Sequence, residues 1–197
     1  MYLLIETIKI KDNEIYNIDY HNLRINNTRR DLFNCKDFID LSKFIKIPGN
    51  SIDTIKCRVI YNKEILNIEY AKYQKRIIKS LKIVKSDDID YQYKYKDRSK
   101  IEKLLKLKNN CDDILIVKNN RITDTSFTNI AFYNGTKWLT PTHPLLKGTK
   151  RQKLIDENKI IEADIFINDL QKFQKAILFN SMLDLEEEMY IEIDNIK

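Results

Sequence analysis

Histidine and cysteine, the side chains that most often ligate metals or act as nucleophile and base near neutral pH, are scarce in this 197-residue chain, and their spacing limits what they could do. Two histidines, His21 and His143, and three scattered cysteines, Cys35, Cys57 and Cys111, do not make the close ligand pairs of a zinc site. Three glycines, Gly49, Gly135 and Gly148, cannot spell a P-loop or a G-x-G-x-x-G turn, which excludes a mononucleotide held on a glycine-rich loop. The remaining candidates are cations and acids. His21 and Arg24 stand one helical turn apart, on one face if the segment is a helix. With Arg29 and Arg30 nearby, Arg24 also fits an exposed amphipathic helix. Lys94 and Lys96 point to one side of an extended segment, and periodicity does not separate them. A lysine, ordinarily titrating near 10.4, becomes a base only if burial or a nearby cation lowers it, for which Arg98 is available. Asp124 in Thr123-Asp124-Thr125 could cap a turn or face a cation. Gly148, Thr149 and Lys150 open a predicted helix, where N–H groups and the helix dipole favour an anion. Lys147, Lys150 and Arg151 add charge there, and an ordinary helix start has the same pattern.

These residues need elements to hold them. Residues 2–10 read as a strand, with Ile8 and Ile10 on one face and Thr7 and Lys9 on the other. Asp12-Asn13 signals a turn and residues 14–17 a hairpin return. Asp19 could cap a helix through His21, Arg24 and Leu32, and residues 38–45 suggest a short helix ending at Pro48-Gly49. Strands are expected at 52–61, 64–70 and 77–84. Residues 86–97 connect two halves. A helix should follow from Asp97 or Ser99, then strands at 113–117, 121–123, 130–133 and 137–140, with turns at Asn119-Asn120 and Asn134-Gly135. A helix over 149–158, strands at 162–166, 175–179 and 189–193, and a short helix around Leu170 complete the expectation. The fold class is α/β in the α+β sense, with short mixed strands in two small subdomains, 1–86 and 87–197.

Composition sets the outer bounds. Apolar residues are 43% and charged residues 32%, enough apolar material for a core. No apolar run approaches the length of a membrane span, and the start lacks a signal-peptide pattern, so no membrane partner and a cytoplasmic location are expected. Three separated cysteines argue against a disulfide framework. The net charge of +6 is spread as lysine among acids, without a basic block, which argues against a nucleic-acid partner.

Three segments in order are more specific. They are Glu6-Thr7-Ile8 with His21-Asn22-Leu23-Arg24; then Tyr93-Lys94-Tyr95-Lys96-Asp97-Arg98; then residues 123–130, Trp138 to Pro141, and Leu145 to Arg151. Together they resemble the class IV aminotransferases, pyridoxal-phosphate enzymes of fold type IV, and among them most closely the aminodeoxychorismate lyases. The resemblance implies two small α/β subdomains with pyridoxal 5′-phosphate between them, a small-molecule amino substrate and a homodimer.

It also implies roles. Lys94, four residues before Arg98 as in the lyases, would be the lysine that bonds the cofactor's aldehyde, with Lys96 the other candidate. Asp124 matches the acid beside the pyridine nitrogen, and Asn129 closes that signature. Arg24, Gly148, Thr149, Lys150 and Ser181 match phosphate-binding positions, with His21 orienting the helix or Arg24. Thr7 matches a lyase threonine that assists proton transfer during elimination, and Arg58 and Asn180 are candidates to meet substrate. The implied activity is release of pyruvate from 4-amino-4-deoxychorismate to give 4-aminobenzoate for folate. Branched-chain or D-amino-acid transamination is the alternative, and a catalytically impaired cofactor-binding remnant is another.

Two departures bear on this. Asp124 replaces the glutamate of better-known members, and the chain begins at the Thr7 strand, where most members carry about thirty further residues.

Overall fold

The computed structural model describes residues 2–49, 53–187 and 189–197. Contacts sort the chain into two units, Met1–Lys75 with Tyr93–Asp97, and Arg76–Gln92 with Arg98–Lys197.

The first unit starts with β1 (Leu4–Lys11), whose alternation sends Leu4, Glu6, Ile8 and Ile10 to one face. Asp12 and Asn13 both take positive φ, 52° and 60°, the turn that suits the twist of a two-residue hairpin. It returns β2 (Glu14–Ile15), pairing Ile10 with Ile15. Helix α1 (Ile18–Phe33) follows, then β3 (Ile55–Tyr61) and β4 (Ile65–Lys72), giving sheet order β2-β1-β3-β4. Leu4, Ile8 and Ile10 of β1, Ile25 of α1 and Cys57, Val59 and Tyr61 of β3 form the buried cluster. Asn17, left-handed at φ 55°, opens α1, so Asp19 lies in the first turn instead of capping it. Residues 38–45 do not form the expected helix. Asp40 accepts from Ser42 N, making a short 3₁₀ turn at Leu41–Lys43 the cheaper local solution, and Phe38 is exposed. Ile52, placed at the start of the third strand by sequence, lies outside the described residues.

The second unit holds a three-stranded and a five-stranded sheet. The strand expected over 77–84 is β5 (Leu81–Lys85), with Ile77 outside it and exposed. Although these residues fall in the sequence-defined N-terminal half, β5 pairs in parallel with β6, in the second unit. Helix α2 (Ser99–Leu105) precedes β6 (Asp113–Lys118) and β7 (Arg121–Thr125), and the small sheet runs β5-β6-β7. Then come β8 (Asn129–Tyr133), β9 (Trp138–Pro141), α3 (Thr149–Asp156), β10 (Ile161–Ala163), β11 (Lys175–Phe179) and β12 (Tyr190–Glu192). Their sheet order is β10-β9-β8-β11-β12, with Ala131, Leu154, Ile177 and Phe179 in its core. The strand expected over 162–166 stops at Ala163, because Asp169 bonds the Phe166 N–H and turns 167–172 into 3₁₀ helix. The mixed α+β architecture expected from sequence is the one the chain forms.

Candidate active site

In the first unit the chemistry gathers around one strand. Glu6 sits on the apolar face of β1 between Leu4 and Ile8 and is fully buried. A carboxylate there must be paired. Helix α1 supplies the partners one turn apart: His21 Nδ1 at 2.5 Å from Oε2, and Arg24, whose Nε and Nη2 donate to Oε1 and Oε2 at 2.8 and 2.5 Å. Burial alone would raise the Glu6 carboxyl. The Arg24 guanidinium and the His21 hydrogen bond outweigh burial and hold it at about 2. Burial lowers His21, and the cations Arg24 and Lys94 add to that against the pull of Glu6, so the ring is neutral at pH 7 and donates through Nδ1. Arg24 thus spends two of its N–H groups on Glu6, a fixed fork rather than a solvated arginine.

The opposite face of β1 carries Thr7. Register places Arg58 of β3 beside it, and Glu69 of β4 beside Arg58. Residues 93–96 lie along the start of β1: Ile5 N donates to Lys94 O at 3.0 Å, Lys96 N to Leu3 O at 2.8 Å, and Leu4 bridges to Tyr95. Tyr93 and Tyr95 pack against the buried cluster with their rings 6.0 Å apart. Tyr95 N also donates to Tyr93 O at 2.8 Å, a tight turn centred on Lys94, and the Lys94 charge reaches His21. Lys94 is half-buried and Lys96 exposed, a difference that sequence periodicity did not contain.

In the second unit the signature closes on itself. Asp124, near the end of β7, is 5% exposed. Its Oδ1 accepts from the Asn129 amide at 2.8 Å and its Oδ2 from Leu146 N at 2.9 Å. Asn129 also donates to Leu146 O at 2.9 Å, stapling the loop before α3 to the signature. Both donors are neutral, and among the described residues Asp124 makes no ion pair. Burial outweighs these bonds and the charge of Arg151, and raises its carboxyl to about 6. Gly148, at the N-terminus of α3, has an ordinary φ of −68°, so sterics select it: a Cβ would land on Asn129 Oδ1. Thr149 and Lys150 are buried in the first turn of α3.

The charges expected to collect at this helix start are otherwise engaged. Lys150 Nζ pairs with Asp184, and Arg151 Nη2 donates to Pro141 O at 2.8 Å and Glu162 Oε1 at 2.6 Å. Lys147 is exposed. Asn180 works as a turn staple, its Oδ1 accepting from Met182 and Leu183 N–H and its amide donating to Phe127 O at 3.3 Å, while Ser181 is half-buried beside it. Arg98 donates to Ser126 O at 2.7 Å instead of standing free to tune a lysine. Sequence reasoning gave Glu6 no role. Its signal was an acid at a core position of an alternating strand.

Comparisons with known proteins agree over nearly the whole chain. The amino-transferase class IV family model matches residues 59–185. An uncharacterized Haemophilus influenzae protein is 39% identical over 185 residues, 92% of this chain and 98% of that protein. A crystal structure from Haemophilus somnus, provisionally named a 4-amino-4-deoxychorismate lyase, superposes with a TM-score of 0.86 at 35% identity, covering 92% of this chain and 97% of that one. A hypothetical aminotransferase from Mycobacterium tuberculosis, solved with pyridoxal phosphate bound, shares the fold at a TM-score of 0.74 and 15% identity, covering 92% and 78%.

Proposed function

The chain belongs to the class IV aminotransferase family, and from that premise we propose that it is a pyridoxal-phosphate lyase releasing pyruvate and 4-aminobenzoate from 4-amino-4-deoxychorismate. The observation that supports the lyase reading is that the Lys94 segment bonds along the start of β1, the strand that carries Thr7. The Haemophilus somnus relative's name is consistent with it.

The residues fit the cofactor. Asp124 is a buried carboxyl hydrogen-bonded by neutral donors and without an ion pair, and a protonated ring nitrogen would supply one. Gly148 leaves room where any side chain would displace Asn129, next to the first turn of α3. In the second unit Asp124 and Asn129 would hold the ring nitrogen, and Gly148, Thr149, Lys150 and Ser181 the phosphate; in the first, Glu6 presets the Arg24 fork. When bound, pyridoxal 5′-phosphate supplies an electron sink for the carbon bearing the substrate's amine.

The chain's own residues move the protons. Lys94 Nζ takes the proton from the ring carbon that carries the amine. Thr7 Oγ1 relays a proton to the departing enolpyruvyl group, which leaves as pyruvate. Arg58, beside Thr7, would meet a substrate carboxylate. The same placement of Arg58 also suits amino-acid transamination, the second reading. The reading brings with it a homodimer, a folate-pathway product and a cytoplasmic location. No described helix is long and apolar enough to cross a membrane, and the three cysteines are unpaired thiols.

Borohydride reduction with pyridoxal phosphate followed by peptide mapping should label Lys94. Purified protein with 4-amino-4-deoxychorismate should then release pyruvate and 4-aminobenzoate in equal amounts. Pyruvate release that stays at background, while amino groups pass to a keto acid, would replace the lyase by the transaminase. A folded protein that takes label on no single lysine would leave the remnant.

A further inference from the structure

Asp113 opens β6 and is 1% exposed. Buried carboxyl oxygens in native proteins nearly always have partners. Among the described residues, neither oxygen of Asp113 completes a hydrogen bond. Burial pushes this carboxyl above its ordinary value. The antiparallel pairing of Leu115 with Thr125 sets Asp113, two residues earlier on β6, beside the turn that follows Thr125, and the Ser126 hydroxyl, the Ile114 N–H, the Thr125 hydroxyl and the Ser126 N–H there favour its charged form.

Three of those four donors belong to one turn. Thr125 to Thr128 is closed by Thr125 N to Thr128 O at 3.0 Å, and its two threonine hydroxyls lie 2.7 Å apart. Asp124 enters this turn and Asn129 leaves it. Arg98 grips the turn from its carbonyl side, donating to Ser126 O. Asp113 faces the N–H and hydroxyl of the same residue. An apolar residue would fill this site without a desolvation cost, so a carboxyl here needs a compensating use.

We propose that Asp113 is a positioning residue, which holds Ser126 against Arg98 and so sets the Thr125–Thr128 turn that carries Asp124 and Asn129. Its effect on the cofactor rests on the assignment of Asp124 and Asn129 to the ring nitrogen. Its effect on the turn does not.

The test compares Asp113→Val, Asp113→Asn, Ser126→Ala and the Asp113→Asn/Ser126→Ala double variant in the full chain. The readouts are the melting temperature, amide hydrogen exchange of residues 125–129 in the cofactor-free protein, and the Kd for pyridoxal 5′-phosphate by absorbance titration. Asp113→Val should melt at or above the parent temperature, exchange these amides faster, and bind the cofactor at least about ten-fold more weakly. Unchanged exchange and unchanged Kd would overturn the proposal. Should Asp113→Val not fold, the other three variants decide. Ser126→Ala should weaken cofactor binding in the parent yet add no further loss to Asp113→Asn, whereas full additivity, or no loss at all, overturns the coupling. A parent protein that binds no pyridoxal phosphate would refute the cofactor assignment, and exchange at the turn would still judge Asp113.

Discussion

Glu6 in the first unit and Asp124 in the second are both buried carboxyls, yet they are driven in opposite directions. Glu6 is surrounded by what a carboxylate needs, an arginine fork and a histidine N–H, and is held at about 2. Asp124 accepts from neutral donors and makes no ion pair, and burial outweighs both these bonds and the charge of Arg151 to raise it to about 6. The first is a finished structural pair. The second has the environment of a carboxyl awaiting a cation. Burial therefore does not by itself mark a functional acid; the missing countercharge does.

The largest test of this contrast is at the lysine. Lys94→Ala should reduce turnover by about 10³-fold or more and abolish borohydride labelling, measured as pyruvate release and by peptide mapping. Lys96→Ala should retain both. Next is the finished pair itself. Glu6→Gln strands His21 and Arg24 without their carboxylate and should destabilise by on the order of 3 kcal/mol in urea unfolding at pH 7.

The pH dependence of cofactor-free stability should separate the two carboxyls by sign. Glu6, lowered from 4.5 to about 2, contributes stability that is present above about pH 4.5 and lost as pH falls toward 2. Asp124, raised from 3.8 to about 6, favours the folded state when protonated, and that contribution is lost as pH rises from about 4 through 6. Each shift corresponds to about 3 kcal/mol. Urea midpoints from pH 2 to 8 should show the Glu6→Gln variant without its share of the acid loss. The Asp124→Asn variant should lack the loss between about pH 4 and 6. If Asp124→Asn instead steepens that loss, the contrast between the two acids fails.

Gly148→Ala is expected to be smaller, about 1–3 kcal/mol, because the new Cβ displaces Asn129 and loosens Asp124. Its melting temperature should drop, and pyridoxal phosphate binding should weaken with it. The smallest effect is at Thr7. Thr7→Val should leave cofactor binding within about two-fold and lower kcat by about 10²-fold at most, read by steady-state pyruvate release. A kcat unchanged in Thr7→Val would remove the argument for the lyase over the transaminase.

Much of the frame was legible from local pattern. The alternation of Leu4 to Ile10, the Asp12-Asn13 turn, the helix carrying His21 and Arg24, and strand β11 follow from nearest neighbours, and they form as expected. So did the run from Asp124 to Asn129 and the glycine before α3, which carry the family resemblance. Misses occurred where a side chain captured a backbone group. Asp40 shortened a helix and Asp169 ended a strand, and such bonds compete with regular structure on a scale that propensity does not resolve.

The sequence by itself determined the order and type of most elements and which residues could share a face, because those depend on periods of 2 and 3.6 residues. Only the tertiary structure decided what each face meets. It paired Glu6 with His21 and Arg24 across 15 and 18 residues. It half-buried Lys94 while leaving Lys96 exposed, and committed Lys150 and Arg151 to Asp184 and Glu162. It also left Asp124 buried without an ion pair. Charge state in an interior depends on which groups arrive from distant parts of the chain, and no local period encodes that.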